Sequence, residues 1–146
     1  MGQQVKVYRE LQLLHKAVIT TDKNMVIVND PLAYKATQTA VTDTATITAA
    51  QLITQVLDGT PTAGATYTLP TAALLVAGIA NSKVGTSFMF FVNNKAASAL
   101  TITVAGGTGG TADGTLTVAQ NVIRGFLVII TNVTSASEAY FVYGLG

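Results

Sequence analysis

The chain has no cysteine. Disulfide scaffolds, thiolate zinc sites and thiol nucleophiles are therefore excluded, and any redox compartment fits. Charge is also scarce. Asp, Glu, Lys and Arg make up 10% of the 146 residues, against about 25% in a typical soluble domain. The single histidine, His15, leaves a histidine-based triad one candidate, and its position outside the predicted core marks it as a solvated or interface side chain. No apolar run approaches the roughly 18 residues that span a bilayer; the longest, Ala72–Ala80, is nine residues and includes a glycine. The opening Met1-Gly2-Gln3-Gln4-Val5-Lys6 has no apolar h-region, so no secretory signal is visible. Lys6 also stands where a myristoylation signal wants Ser or Thr. A net charge of +1 is too small for a nucleic-acid footprint, which needs clustered Lys and Arg.

What charge there is lies unevenly. Lys6, Arg9, Glu10, Lys16, Asp22, Lys23, Asp30 and Lys35 fall in the first 35 residues, and the 111 residues that follow carry only Asp43, Asp58, Lys83, Lys95, Asp113, Arg124 and Glu138. This change divides the chain into an N-terminal arm, 1–35, and a β domain, 36–146, rich in Thr, Ala, Gly and Val. Surfaces normally carry charge to stay soluble and unassociated. A domain this uncharged is best explained if much of its surface faces other protein, which points to an assembled, structural role.

In the arm, Val7, Leu11, Leu14 and Val18 recur at helical spacing, with a strand as the alternative, and Met25–Val28 reads as a short strand ended by Asn29-Asp30-Pro31. The β domain begins with a strand at Ala45–Thr48. A helix over Ala49–Leu57 follows, with Thr48 and Gln51 forming a capping-box pattern and Asp58-Gly59 closing it. Ala65–Leu69 is the next strand, and Thr71 caps a second helix, Ala72–Ile79. Ser87–Asn93, Leu100–Val104, Leu116–Val118, Phe126–Thr131 and Ala139–Tyr143 complete the strands. In Leu100–Val104, Leu100, Ile102 and Val104 point inward and Thr101 and Thr103 outward. Ile47–Leu52 and Leu69–Leu75 echo each other as strand end, Thr cap, Ala pair and Leu: one strand-to-helix device used twice, and not a solenoid, because no third copy follows. Short strands separated by Gly and Asn turns predict an antiparallel sandwich, its outer face kept wet by threonine rather than charge.

No motif for catalysis emerges. The acids Asp43, Asp58, Asp113 and Glu138 stand singly, with no metal-ligand spacing between them. The run Gly106–Gly114 has no Lys and leads into a strand rather than a helix, so it is not a phosphate-binding loop; it reads as a long flexible hairpin loop. Its Gly106, Gly107, Gly109, Gly110, Asp113 and Gly114 form a candidate exposed contact loop. Asn132-Val133-Thr134 matches a glycosylation sequon and reads as a simple turn. Phe88, Phe90, Phe91, Phe126, Tyr140, Phe141 and Tyr143 sit in predicted strands and are assigned to the core. Tyr67, Tyr140 and Tyr143 are further candidates for a carbohydrate or protein contact surface. No catalytic residue, cofactor or metal is expected.

Two stretches carry a resemblance. Across Ala45–Ile79 run Thr-x-x-x-Ala-x-Leu, then Gly-Thr-Pro, then Tyr-Thr-Leu-Pro; near the end, Asn132–Leu145 opens with Asn-x-Thr-Ser before the last strand. Over residues 44–146 the chain resembles small virion proteins of tailed phages and related viruses: capsid decoration (cement) proteins and fibre-head modules. That resemblance implies an all-β, jelly-roll-like β-sandwich, often a homotrimer, on the capsid exterior. The expected function is to bind the major capsid protein lattice and stabilise the shell, without nucleic acid or membrane as partners. The arm lies outside the resemblance; it would be a capsid anchor, with Val7, Tyr8, Leu11, Leu14 and Val18 buried against the capsid and Lys6, Arg9 and Lys16 meeting acidic groups, or a swapped segment, or an ordinary first helix and strand packed on its own domain. The alternative is a fibre head that binds a host surface glycan or receptor.

Overall fold

A computed structural model describes residues 36–146 and, from the first 35, two short strands. The chain divides into two compact units, Met1–Lys35 and Ala36–Gly146. In the first, β1 (Ile19–Thr20) and β2 (Val26–Ile27) pair antiparallel.

The second unit is mostly β. Its strands are β3 (Thr37–Val41), β4 (Ala45–Thr46), β5 (Gln55–Gly59), β6 (Ala65–Thr68), β7 (Ser87–Asn94), β8 (Ile102–Ala105), β9 (Gly110–Gly114), β10 (Thr117–Val118), β11 (Ile123–Asn132) and β12 (Ala139–Gly144), with helices α1 (Ala49–Ile53) and α2 (Ala72–Gly78). They form a six-stranded sheet, β3-β5-β7-β11-β12-β9, and a four-stranded sheet, β10-β8-β6-β4. One core lies between them. Phe90, Val92, Phe126, Val128, Tyr140 and Val142 enter from the larger sheet, and Tyr67, Ile102, Val104 and Val118 from the smaller. Phe90 and Phe126 stack there with ring centroids 5.1 Å apart.

The expectation of an antiparallel arrangement is corrected. From β3 to β8 each strand lies in the opposite sheet to the one before it, so neighbours within a sheet are one full coil apart and run the same way. Hence β3, β5 and β7 are parallel, as are β4, β6 and β8, and β9 joins β12 in parallel. Within the second unit, β7-β11-β12 and β8-β10 are antiparallel. The path winds three times, through β3–β4, β5–β6 and β7–β8, without a constant sequence period.

The echo seen in the sequence is a stacked pair of corners. Thr46 sits beside Thr68 in parallel register, and each strand turns into a short helix capped by Thr48 or Thr71. The capping box forms fully: Gln51 N donates to Thr48 Oγ1 and Thr48 N donates to Gln51 Oε1. However, α1 stops at Ile53 rather than continuing to Leu57. Gln55 adopts φ 75°, the left-handed conformation that ends many helices, and Val56 and Leu57 then enter β5. Asp58 and Gly59, expected to close the helix, are strand residues.

Candidate interaction surfaces

Several ionisable groups of the second unit serve local structure. Asp43 Oδ1 accepts from Thr62 N and Thr62 Oγ1, which ties two turns together. Asp58 accepts from Asn93 Nδ2 at 2.8 Å and from Lys95 Nζ. Asp113 Oδ1 caps its neighbour's amide, Gly114 N. Among the described residues no three His, Cys, Asp or Glu side chains come together. A cleft of about 300 Å³ lies where α1 and α2 begin, lined by Thr46, Ile47, Thr48, Ala49, Ala50, Pro70 and Leu74. It has no titratable side chain, so it offers nothing to donate or accept a proton during catalysis.

The reading of Gly106–Gly114 as a long flexible hairpin loop is corrected. Gly110–Gly114 is strand β9, hydrogen-bonded along β12, so this part of the run is sheet. Glycine is required here by close approach. A Cβ on Gly110 would overlap the Tyr140 ring, and Gly109, at φ +79°, lies against the Glu138 carbonyl. Gly107 N donates to the Tyr140 hydroxyl, which donates in turn to the Pro70 carbonyl, both at 3.0 Å. Gly109, Asp113 and Gly114 are exposed, while Gly106, Gly107 and Gly110 are half-buried.

Two of the three candidate tyrosines are also corrected. Tyr67 and Tyr140 are buried core residues. Tyr67 donates to the Val41 carbonyl at 2.8 Å; burial, and then the negative charges of Asp43 and Asp58, push its phenol up to about 12. Burial raises the Tyr140 phenol too, opposed by the Gly107 amide. Tyr143 remains partly accessible.

The two sheets turn chemically different faces outward. The four-stranded sheet presents threonine. Thr103 lies between Thr66 and Thr117 in register, and Thr46 lies beside Thr68. This is the wet, uncharged surface that the sequence predicts. The six-stranded sheet is apolar outside as well as inside along β7, β11 and β12. Alternation along β7 and β11 buries Phe90, Val92, Phe126 and Val128, and so turns Met89, Phe91, Leu127 and Ile129 outward. On β12 the outward residues are Phe141 and Tyr143, stacked with centroids 5.7 Å apart at 14°. Cross-strand register places Leu127 between Met89 and Tyr143, so the apolar positions are contiguous. Phe91 is 38% exposed, Met89 39% and Ile123 64%. The assignment of Phe91, Phe141 and Tyr143 to the core is thereby corrected. The signal in the sequence was the unbroken apolar centre of Ser87–Asn93, whose two sides meet different surroundings.

The proposed anchor residues Lys6, Val7, Tyr8, Arg9, Leu11, Leu14, Lys16 and Val18 lie outside the described residues. No helix of the described residues is long and apolar enough to cross a membrane. No family model, curated protein or solved structure matches the chain.

Proposed function

We propose that this chain is a structural protein of a viral capsid exterior, a decoration protein that assembles as a homotrimer and holds the major capsid protein lattice together. The observation that carries this reading is a sheet with apolar residues on both faces in a domain with almost no charge. Surface of this kind is normally covered by protein. The sequence resemblance, the two-sheet β architecture and the lack of a converging titratable cluster among the described residues support the same reading. A jelly-roll-like sandwich is the finer fold assignment that accompanies it. The charged arm is proposed as the capsid anchor. Several weak contacts, repeated three times on one particle, bind far more tightly than one by raising effective concentration.

Imaging of the native virion tests this directly, by locating the chain's density at junctions between capsid subunits. Deletion of residues 1–24 should abolish capsid binding in a sedimentation assay and leave the oligomer intact. Normal occupancy after the deletion would refute the anchor.

A second reading, a glycan- or receptor-binding head, draws on the stacked Phe141–Tyr143 pair, since partly accessible aromatic faces suit sugar contact. Its test is a glycan array on wild type and Tyr143→Ala, where binding lost in the variant would favour the head over the cement.

A further inference from the structure

We propose that the outer face of the six-stranded sheet is the surface through which copies of this chain bind one another. The inference rests on the self-association in the reading above and names the surface that performs it.

Three observations select a second copy as the occupant. The first is the contrast between faces. The four-stranded sheet shows that this chain can keep a β-sheet face wet with threonine alone. The six-stranded sheet instead carries Met89, Phe91, Leu127, Ile129, Phe141 and Tyr143 outward, a composition enriched at interface centres. The second is charge. On this face the charged groups sit at the margins: Asp58, already paired with Lys95, and Asp113 on edge strand β9. A partner with a charged surface would have to strip water from ions that find no counter-charge in the middle of this face. A second copy brings the same uncharged centre. The third is size. Six strands of five to ten residues, at about 4.8 Å between strands and about 3.3 Å per residue, make a face on the order of 600 Å² in projection, with an apolar centre of about 380 Å² on β7, β11 and β12 and a more polar rim on β3, β5 and β9, which is the scale and anatomy of the roughly 800 Å² each partner contributes to a standard stable interface.

The test is the assembly state of the full chain, measured by sedimentation over a range of concentrations, for wild type, Met89→Lys, Phe91→Lys and Thr117→Lys. Met89 and Phe91 are already partly exposed in one copy, so lysine there leaves the fold intact, as a circular dichroism spectrum verifies. We expect an oligomeric wild type, a dissociation constant raised on the order of a hundredfold or more by lysine at Met89 or Phe91, and no change for Thr117→Lys. Because the chain has no native cysteine, Met89→Cys and Thr117→Cys give a second readout free of background. A short bifunctional thiol reagent should link copies through position 89 and not through position 117. Unchanged assembly in both lysine variants, cross-linking through position 117 alone, or a wild type monomeric at every concentration would each overturn the proposal.

Binding of the same proteins to purified virions separates the two ideas. An oligomer that dissociates as expected yet ignores virions leaves this interface standing and removes the capsid role. Virion binding with an oligomer untouched by the lysines does the reverse.

Discussion

Tyr67 connects one side chain to a measurable pH response. Its phenol is fully buried and pushed up to about 12, while in the unfolded chain it titrates near 10. Between those values the folded protein holds a proton that the unfolded chain has lost, so stability falls as pH rises. The contribution is intact below pH 10 and declines by about 1.4 kcal/mol per pH unit up to about 12, roughly 2–3 kcal/mol in all. Tyr67→Phe should lose about 0.5–1.5 kcal/mol at neutral pH, because the bond from its hydroxyl to the Val41 carbonyl is lost while that carbonyl keeps Thr60 N as a donor, and should show a shallower alkaline decline. Urea titrations at pH 8 and pH 11.5 measure both; equal alkaline slopes in the two proteins would refute the assignment. Asn94 does comparable work without titrating. Buried among the described residues, it donates to the Leu100 and Val118 carbonyls and accepts from Ala96 N, and so joins β7 to β10 and to the segment that leads into β8.

At the scale of elements, two short pieces test why strands and helices end where they do. Gln55 follows the last turn of α1 at φ 75°, where a side chain costs about 1 kcal/mol that glycine avoids. Gln55→Gly should therefore stabilise the protein by roughly 0.5–1 kcal/mol despite glycine's greater freedom when unfolded. A lower thermal midpoint in that variant would show that the glutamine side chain matters more than its backbone. Strand β9 makes the opposite case. Gly110→Ala places a methyl group into the Tyr140 ring, and either the ring or the strand must move. The expected loss is about 1–3 kcal/mol, with hydrogen exchange along Gly110–Gly114 accelerated before the rest of the sheet. The sequence suggested a loop here because Gly-Thr-Ala-Asp-Gly has neither alternation nor β-branched density. β12 supplies its pairing partner, and that partner is distant in the chain.

For the whole molecule, the division of labour follows from how far each signal reaches. Local chemistry was legible from residues alone. The Thr48–Gln51 capping box, the Thr71 cap, the alternation of Ile102 and Val104 with Thr103, and the long apolar strands β7, β11 and β12 all depend on neighbours a few positions away. The scarcity of ionised groups likewise needs no coordinates, and it is what the proposal of a surface covered by protein starts from. Tertiary structure alone decided the direction of pairing, since no residue records that consecutive strands cross to opposite sheets. It also decided that glycines around Gly110 are packed against a ring, and that Tyr67 and Tyr140 face inward while Phe91, Phe141 and Tyr143 face out. An alternating strand specifies two faces, but which one meets the core depends on what the rest of the chain lays against it.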